Sequence, residues 1–529
     1  MERTAPTRRT VMRTVALATI TAPFAQRAHV AEKVVPSGSM VLAWHTNIAP
    51  RWLDPLQHDG SATPDNFLMV VQDALIKNYK EQLYDHLALA DRFDFAEDAR
   101  SATFRLREGI KFHDGSSVTP DDVKWSYEHY HGAWAQVLHD ETDRVEILDK
   151  RTVQFEFKRP FLDFPRLIGT ANVCGAGWVV PANYYEKVGK DGFAAKPIGA
   201  GPYKLVSQEP GTKIEFEAFE QYYAPVHIKK FTIVSAPDAA TRVAMLERGE
   251  ADIIYFIPGE LVARIQRNPK IILAPVVSGN WWLQFPGFQD PKNPFHDKRV
   301  REAVSLAIDR DAMNNAECGG LGRVDGNWIN DDVEYALEWP KWEHNVAKAK
   351  QLMAAAGYPD GFNYDWLTPA PPYFSRGERI LAQLQAIGIR GKLQTLERGV
   401  YNKRRQSGIK EWPGINILLT GARIGASWAN WYESLFKCGG QLVADSICVK
   451  DLDAKFDQYV TLVKPTERKQ LAEEIQRGII ENYYFVPVFR HAFMNAIGPR
   501  IAAQRWQDVF PSFISTGYAY PWEEIKLKA

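Results

Sequence analysis

The fold is decided by residues 104–115, which read FRLREGIKFHDG, and by the segment VTPDDV that follows at residues 118–123. Apolar and polar residues alternate at the start of this stretch, from Phe104 to Leu106, and this alternation predicts a β-strand with one buried face. Asp114-Gly115 predicts a tight turn. Thr119-Pro120 is typical of the capped start of a helix. The stretch therefore predicts a strand, a turn and a helix in succession.

Helix and strand patterns alternate along the rest of the chain. Asp238 and Gly249 predict the two ends of a helix, and residues 251–256 follow as a strand. From Asp297 to Met313, apolar residues recur at helical spacing and predict a helix with one buried stripe. This alternation predicts an α/β protein with mixed sheets.

One further helix start lies near residue 375. Ser375 and Glu378 have the spacing of a capping box, in which the two side chains bond to the first free amides of a helix. Apolar residues at helical spacing follow up to Gly388. The pattern predicts a helix that Ser375 caps.

Length and charge limit the functions that the chain can have. Its 529 residues exceed the roughly 150 of an average domain, so two or three lobes are expected. Lys and Arg total 64, as do Asp and Glu, and this balance provides no basic surface for nucleic acid or for an anionic membrane. The 16 tryptophans are numerous enough to fill cores or to line a ligand cavity.

Residues 1–31 are typical of an export signal. A basic segment ends at Arg13, and an apolar stretch from Thr14 to Ala25 follows, too short to span a bilayer, which takes about 20 residues. Residues 7–13, TRRTVMR, are similar to a twin-arginine signal. The twin-arginine and general export routes both stay open, as does an amphipathic or disordered tail. We expect a soluble periplasmic protein without a lipid anchor, because no cysteine lies near the signal.

The four cysteines are Cys174, Cys318, Cys438 and Cys448. Cys438 and Cys448 are close in sequence, and in an oxidising compartment we expect them to form a disulfide, with two unpaired thiols as the alternative. Cys174 and Cys318 stay unassigned.

Motifs of catalysis are mostly absent. The chain has no HExxH zinc motif, no phosphate-binding GxxxxGK[ST] loop, no GxSxG elbow and no paired CxxC. Ser434 and Lys437 match SxxK but lack the partner motifs of acyl-transfer enzymes. His129 and His131 would point to different faces of a helix and predict no metal site. We therefore expect no enzyme activity, no cofactor and no bound metal, with a periplasmic hydrolase using Ser434 as a weaker alternative.

Taken together, residues 104–123 and several further motifs resemble the family 5 extracellular solute-binding proteins, the dipeptide, oligopeptide and nickel receptors of ABC importers. The similarity runs over nearly all of the chain after the signal. The further motifs are Leu53-Asp54-Pro55, IGAGPYKL at residues 198–205, LERGEAD at residues 246–252 and NPFHDKRVREA at residues 293–303.

The resemblance implies a fold like that of the type II periplasmic binding proteins, in its cluster C form. Two hinged mixed-sheet lobes and an extra lobe are expected. Residues 32–75, 197–290 and 490–529 would form lobe I, residues 76–196 the extra lobe II and residues 291–489 lobe III. It also implies closure on a solute, delivery to ABC permease subunits with separate ATPase subunits, and a monomer.

The same resemblance places a ligand loop before Cys438. Peptide-binding relatives carry an aspartate there for the ligand's amino group, but residues 421–431, GARIGASWANW, have no acidic residue. An uncompensated buried ammonium is costly, so an ordinary peptide becomes less favoured. An anionic or sugar-like solute, which includes opine-like ones, is favoured instead, and a metal or metal chelate is the alternative. The candidate ligand residues are Arg423, Ser427, Trp428, Asn430, Trp431, Trp281, Trp282, His45 and Asn47.

Two of these assignments leave alternatives open. Trp428 and Trp431 offer ring faces to a solute, but they would equally fill a core while Arg423 is solvated. Trp281 and Trp282 are neighbours on a predicted strand, so one side chain should face each side of the sheet and one should line the cleft.

Overall fold

The structure is a computed structural model. It describes residues 34–57, 62–77, 86–132, 134–169, 176–329, 333–371, 373–422, 428–440, 447–510 and 518–529. No helix among these residues is both long and apolar enough to cross a bilayer.

The strands of the described residues, in chain order, are β1 Ser37–Trp44, β2 Ile76–Lys77, β3 His86–Leu87, β4 Ala90–Phe95, β5 Ser101–Leu106, β6 Thr142–Ile147, β7 Thr152–Phe157, β8 Tyr203–Glu209, β9 Lys213–Ala218, β10 Ile228–Ser235, β11 Ile253–Ile254, β12 Ile272–Gln284, β13 Phe362–Pro369, β14 Ile389–Leu393, β15 Asn416–Ala422 and β16 Phe485–Ile497.

The α-helices of the same residues are α1 Ala62–Val71, α2 Pro120–Glu128, α3 Ala135–Glu141, α4 Phe164–Ile168, α5 Ala182–Ala195, α6 Ala239–Arg248, α7 Gly259–Gln266, α8 Lys298–Ala307, α9 Arg310–Cys318, α10 Val346–Ala355, α11 Phe374–Gln385, α12 Arg398–Ser407, α13 Trp428–Leu435, α14 Lys450–Tyr459 and α15 Pro465–Glu481.

The strands form one large mixed sheet and two smaller sheets. The large sheet has ten strands in the order β14-β13-β15-β12-β16-β11-β1-β10-β9-β8. Strands β4 to β7 form an antiparallel sheet of their own in the order β4-β5-β7-β6. Helices and strands alternate along the chain, as the sequence predicts for an α/β protein.

The stretch at residues 104–123 folds as predicted. In β5, Phe104 and Leu106 are buried while their neighbours are partly exposed. Asp114 accepts a hydrogen bond from the backbone amide of Ser116, and this bond closes the turn. Thr119 then caps α2, and its side chain forms a reciprocal capping box with Asp122. Local side-chain chemistry therefore determines this part of the fold.

The histidine of this stretch joins two distant motifs. His113 Nε2 lies 3.0 Å from the carbonyl oxygen of Gly201, and the amide of Gly199 donates to His113 Nδ1 over 3.3 Å. A Cβ at Gly199 would lie 2.1 Å from the carbonyl oxygen of Val71, so the glycine is needed for a close backbone crossing. Residues 198–205 therefore maintain the fold at this crossing.

Two helices of the structure differ from those that the sequence predicts. Residues 297–313 do not form one helix, because Asp309 accepts the amide of Ala312 and so caps a second helix, α9. Ser375 does not cap a helix: α11 already begins at Phe374, and the Ser375 hydroxyl donates to Glu317 over 3.1 Å. In both cases a polar side chain forms a hydrogen bond that the spacing of residues in the sequence does not predict.

The strands β12 and β16 connect two parts of the chain. Residues 272–277 of β12 pair with residues 492–497, whereas residues 280–284 pair with residues 485–490 and with β15. The pairing of β12 with β16 shifts register between Val277 and Gly279. We call residues 280–490 the distal lobe and the other described residues the proximal part. The three lobe boundaries given above stay a prediction.

We predict that His113 makes the protein acid-sensitive. Burial lowers the pKa of His113 from 6.5 to about 4, although part of the ring stays exposed. The folded chain thus binds this proton less readily than the unfolded chain, so stability present above pH 6.5 is lost as the pH falls towards 4. The loss that His113 contributes should be on the order of 2 kcal/mol.

The measurement is the free energy of unfolding in denaturant at several pH values, for the parent and for His113→Gln. Glutamine does not titrate, so all other titrating groups cancel in the difference. The free energy of unfolding of the parent should fall relative to that of His113→Gln as the pH is lowered from 6.5 to 4. Two parallel pH curves would contradict this prediction.

Candidate functional site

Side chains from both parts of the chain meet at the carboxyl ends of parallel strands. His45 follows β1, Phe256 follows β11 and Tyr373 follows β13. Ligands of open α/β sheets bind at such strand ends. We call the group His45, Phe256, Trp281, Tyr373, Arg376 and His491 the Arg376 site.

Arg376 lies at the centre of this group and is 1% exposed. Its guanidinium carbon is 4.1 Å from the ring centre of Trp281 and 4.4 Å from that of Tyr373. Nε donates to Glu317 over 3.0 Å. Nη1 is buried and has no hydrogen-bond partner in the described structure. The guanidinium therefore retains a free donor for an acceptor that the protein itself does not supply.

His491 lies beside Arg376 and is neutral at ordinary pH. Arg376 Nη2 is 3.2 Å from His491 Nε2, and burial together with the charge of Arg376 lowers the pKa of His491 well below 6.5. The thiol of Cys318 is 2.8 Å from His491 Nδ1, and burial raises the pKa of this thiol to about 12. A nucleophilic cysteine needs the opposite shift, towards the thiolate. The Cys318–His491 pair is therefore structural.

His45 brings a second neutral imidazole to the site from the proximal part. Burial lowers the pKa of His45 well below 6.5, and repulsion from Arg242 and Arg398 lowers it further. Its Nδ1 atom is buried without a hydrogen-bond partner. The His45 ring stacks on Phe256 with centres 5.4 Å apart.

Phe256 links the two sides of the site. Its ring centre is 5.1 Å from that of Tyr373 in the distal lobe, and its backbone has φ of +60°. Arg242 donates to the carbonyl oxygens of Tyr255 and Phe256 and so holds this strained turn. The contact between Phe256 and Tyr373 therefore rests on a fixed backbone.

A second group of aromatic residues lies around a small cavity beside β12 and β16. The cavity has a volume of about 10 Å³, the space of about one water molecule. Trp282, Trp328 and Trp342 line it, together with the ion pair between Arg490 and Asp325. The indole N–H groups of Trp282 and Trp328 are buried without partners. We call this group the tryptophan pocket.

The structure separates the two neighbouring tryptophans of β12. Trp281 packs on Tyr373 and Arg376, whereas Trp282 packs on Trp431 and Phe485. Each tryptophan thus lies on its own face of the sheet, and both line the small cavity.

The other predicted ligand residues are spread over several environments. Trp428 and Trp431 are fully buried against Trp328 and are not among the residues that line the cavity. Asn47 is exposed at the end of β1 and accepts a hydrogen bond from Ser235 over 3.4 Å.

Three more candidates have no described side chain. Arg423 and Ser427 lie outside the described residues, and so does the side chain of Asn430. The ligand role of the whole predicted set stays a prediction.

Arg376, Tyr373, Glu317 and His491 are not among the ligand residues predicted from the sequence. Arg376 and Tyr373 are three residues apart directly after β13, and this position at a strand's carboxyl end is the signal that was available. Glu317 and His491 carry no such signal, because they reach the site from distant segments.

The rival chemistries receive no support from the described side chains. No group of three His, Cys, Asp or Glu side chains is placed to hold a metal ion among the residues described above. Lys437, the lysine of the SxxK match, is 3.0 Å from Asp457 and is engaged as a cation. The Ser434 side chain is not described.

Two cysteines of the distal lobe are joined by a disulfide. Cys438 and Cys448, the predicted pair, form it with a sequence separation of 10. Cys318 is a free buried thiol, and Cys174 lies outside the described residues. The bridge closes a short loop after α13, the helix that carries Trp428 and Trp431.

Residues 86–412 match a family model described as "Bacterial extracellular solute-binding proteins, family 5 Middle". The match covers more than half of the chain and includes β5, α2, the crossing at Gly199 and all residues of the Arg376 site except His45 and His491.

Curated relatives match a similar share of the chain. Heme-binding protein A of Haemophilus influenzae is 27% identical over 461 residues, which cover 78% of this chain and 80% of that protein. Glutathione-binding protein GsiB of Salmonella typhi is 26% identical over 425 residues, which cover 77% of this chain and 81% of that protein.

A solved structure shares the fold. The periplasmic binding protein AgaA of A. tumefacien R10, solved in complex with agropinic acid, superposes with a TM-score of 0.76 at 23% identity. The alignment covers 93% of this chain and 99% of AgaA.

Proposed function

The chain belongs to the bacterial extracellular solute-binding proteins of family 5, and from this premise we propose that it is the periplasmic receptor of an ABC importer for a small anionic solute. It binds the solute between the proximal part and the distal lobe and delivers it unchanged to the permease. Separate membrane and ATPase subunits complete the importer, and the receptor itself is a monomer without enzymatic activity.

The observation that carries the solute class is the buried guanidinium of Arg376. Its Nη1 donor has no partner, and a carboxylate or phosphate oxygen is the acceptor that a guanidinium binds best. Glu317 pairs with both Arg376 and Arg379, so these three side chains carry one net positive charge that an anionic solute would balance. Trp281 and Tyr373 provide the apolar walls beside that charge.

The neutral histidines fit the same class of solute. His45 and His491 both have a lowered pKa, so neither adds a full charge at neutral pH. Both ring nitrogens of His491 are engaged, by Arg376 and by Cys318. His45 Nδ1, in contrast, has no partner, and as a neutral N–H it can donate a hydrogen bond to a carboxylate oxygen. A peptide-like or opine-like solute with a carboxylate, or a sugar acid, has both the acceptor and the polar body that this site requires.

The experiment is mass spectrometry of the solute that copurifies with the exported chain, followed by calorimetry with a panel. The panel contains glutathione, agropinic acid, haem and a dipeptide, the first three named for the relatives above, with a neutral sugar as control. We expect a carboxylate-bearing solute to bind at one to one. Stoichiometric metal in elemental analysis, conversion of a solute to a product, or preferential binding of the neutral sugar would contradict the proposal.

A further inference from the structure

Four charged side chains form a cluster between the proximal part and the distal lobe. Asp163 and Arg166 lie at the start of α4 in the proximal part, and Glu334 and Arg468 lie in the distal lobe. Arg468 Nη2 is 3.3 Å from Asp163 Oδ2, and Arg166 Nη2 is 2.5 Å from Glu334 Oε2. Both of these ion pairs connect the two parts.

Ion pairs also form between cluster residues of the same part. Arg166 Nη1 is 3.6 Å from Asp163, and Arg468 Nη2 is 3.9 Å from Glu334. Arg468 donates to the hydroxyl of Tyr459 over 2.8 Å and lies over the ring of Tyr459 at 4.2 Å. The charges alternate around the cluster, so each one has an opposite charge from its own part and another from across the interface.

Burial makes these contacts consequential. The side chains of Arg468 and Asp163 are 2% and 9% exposed, and those of Glu334 and Arg166 are 20% and 24% exposed. Where the two parts meet, the four side chains are largely removed from water, which is unfavourable unless every charge is paired. Loss of one charge therefore leaves the buried cluster of two acids and two bases with one unbalanced charge, and separation of the parts relieves that cost.

The connection between the parts permits such a separation. The chain passes from one part to the other through β12 and β16, which are neighbours, and their pairing shifts register at Val277 and Gly279. Two adjacent strands with an irregular pairing form a hinge about which the parts can rotate. The charged cluster is built from other elements than the Arg376 site, so it acts on closure without touching a solute there.

We propose that Asp163, Arg166, Glu334 and Arg468 are a latch that stabilises the closed arrangement and thereby sets the fraction of receptor that is closed before solute binds. This inference rests on the proposed function, because a closing receptor is its premise. A ligand that needs the closed form binds with an apparent affinity that scales with this fraction. The latch therefore tunes affinity from outside the binding site.

The test uses the exported chain freed of solute, with Arg166→Gln, Glu334→Gln and the double variant. Small-angle X-ray scattering gives the radius of gyration of each. We expect the radius of gyration of each single variant to exceed that of the parent by on the order of 1 Å. A compact chain of this size has a radius of gyration of roughly 23 Å. The double variant leaves Asp163 and Arg468 as a balanced pair, so its radius should lie between that of the parent and those of the single variants. Asp311→Asn is the control, since Asp311 pairs with Lys341 at the exposed surface within the distal lobe.

The possible results test the latch and the proposed receptor function separately. An unchanged radius in both single variants, with or without a lower melting temperature, would overturn the latch, because the cluster would then only stabilise a fixed interface. The measurement needs no solute. If the variants open as expected but the parent holds stoichiometric metal or converts a solute to a product, the latch stands and the proposed function fails.

Discussion

Replacing Arg376 with methionine is expected to weaken solute binding by roughly 30-fold or more, which corresponds to about 2 kcal/mol or more. Methionine keeps most of the apolar contact with Trp281 and Tyr373 but removes the buried donors. In this variant Glu317 is still paired with a cation, because Arg379 lies 3.2 Å from it. The variant should therefore fold, and the loss should appear in affinity measured by calorimetry with the solute that the parent binds.

Arg379→Met is the matched control for this substitution. Arg379 is on the same helix and pairs with the same carboxylate, but its side chain is 47% exposed. We expect it to bind solute like the parent. Arg376→Lys preserves the charge and loses the planar fork, so it should bind weakly as well. Parent-like affinity in Arg376→Met would remove the basis for an anion at this site.

Replacing Gly199 with alanine is expected to destabilise the fold by about 3 kcal/mol, the upper end of what overpacking costs. The added Cβ would lie 2.1 Å from the carbonyl oxygen of Val71, and this backbone atom has no rotamer by which to move away. The same shift would disturb the bond from the Gly199 amide to His113. The measurement is the free energy of unfolding in denaturant.

Gly478→Ala serves as the control for that change. Gly478 lies inside α15, and a Cβ there would meet the flexible end of Leu452 at 2.9 Å. Alanine also favours a helix over glycine by about 1 kcal/mol, so this variant should be close to neutral. Equal stability of Gly199→Ala and Gly478→Ala would show that the crossing tolerates a side chain.

The sequence by itself determined the family, the α/β fold of the type II periplasmic binding proteins and the local elements with short-range signals. Asp114-Gly115 turns the chain and Thr119 caps α2 because each needs only partners a few residues away. Asp238 and Gly249 end α6 where predicted, for the same reason. Membership of family 5 is confirmed by the match over residues 86–412.

Tertiary structure alone decided the site and the ends of some helices. Arg376 meets Glu317 across 59 residues and His491 across 115, and neither partner has a local pattern that marks it. The periodicity of residues 297–313 predicts one helix, but Asp309 caps a second helix there. Ser375 forms a hydrogen bond with Glu317 and does not cap α11. Periodicity and capping describe neighbours along the chain, whereas a buried charge is positioned by whichever distant side chains the packing brings to it.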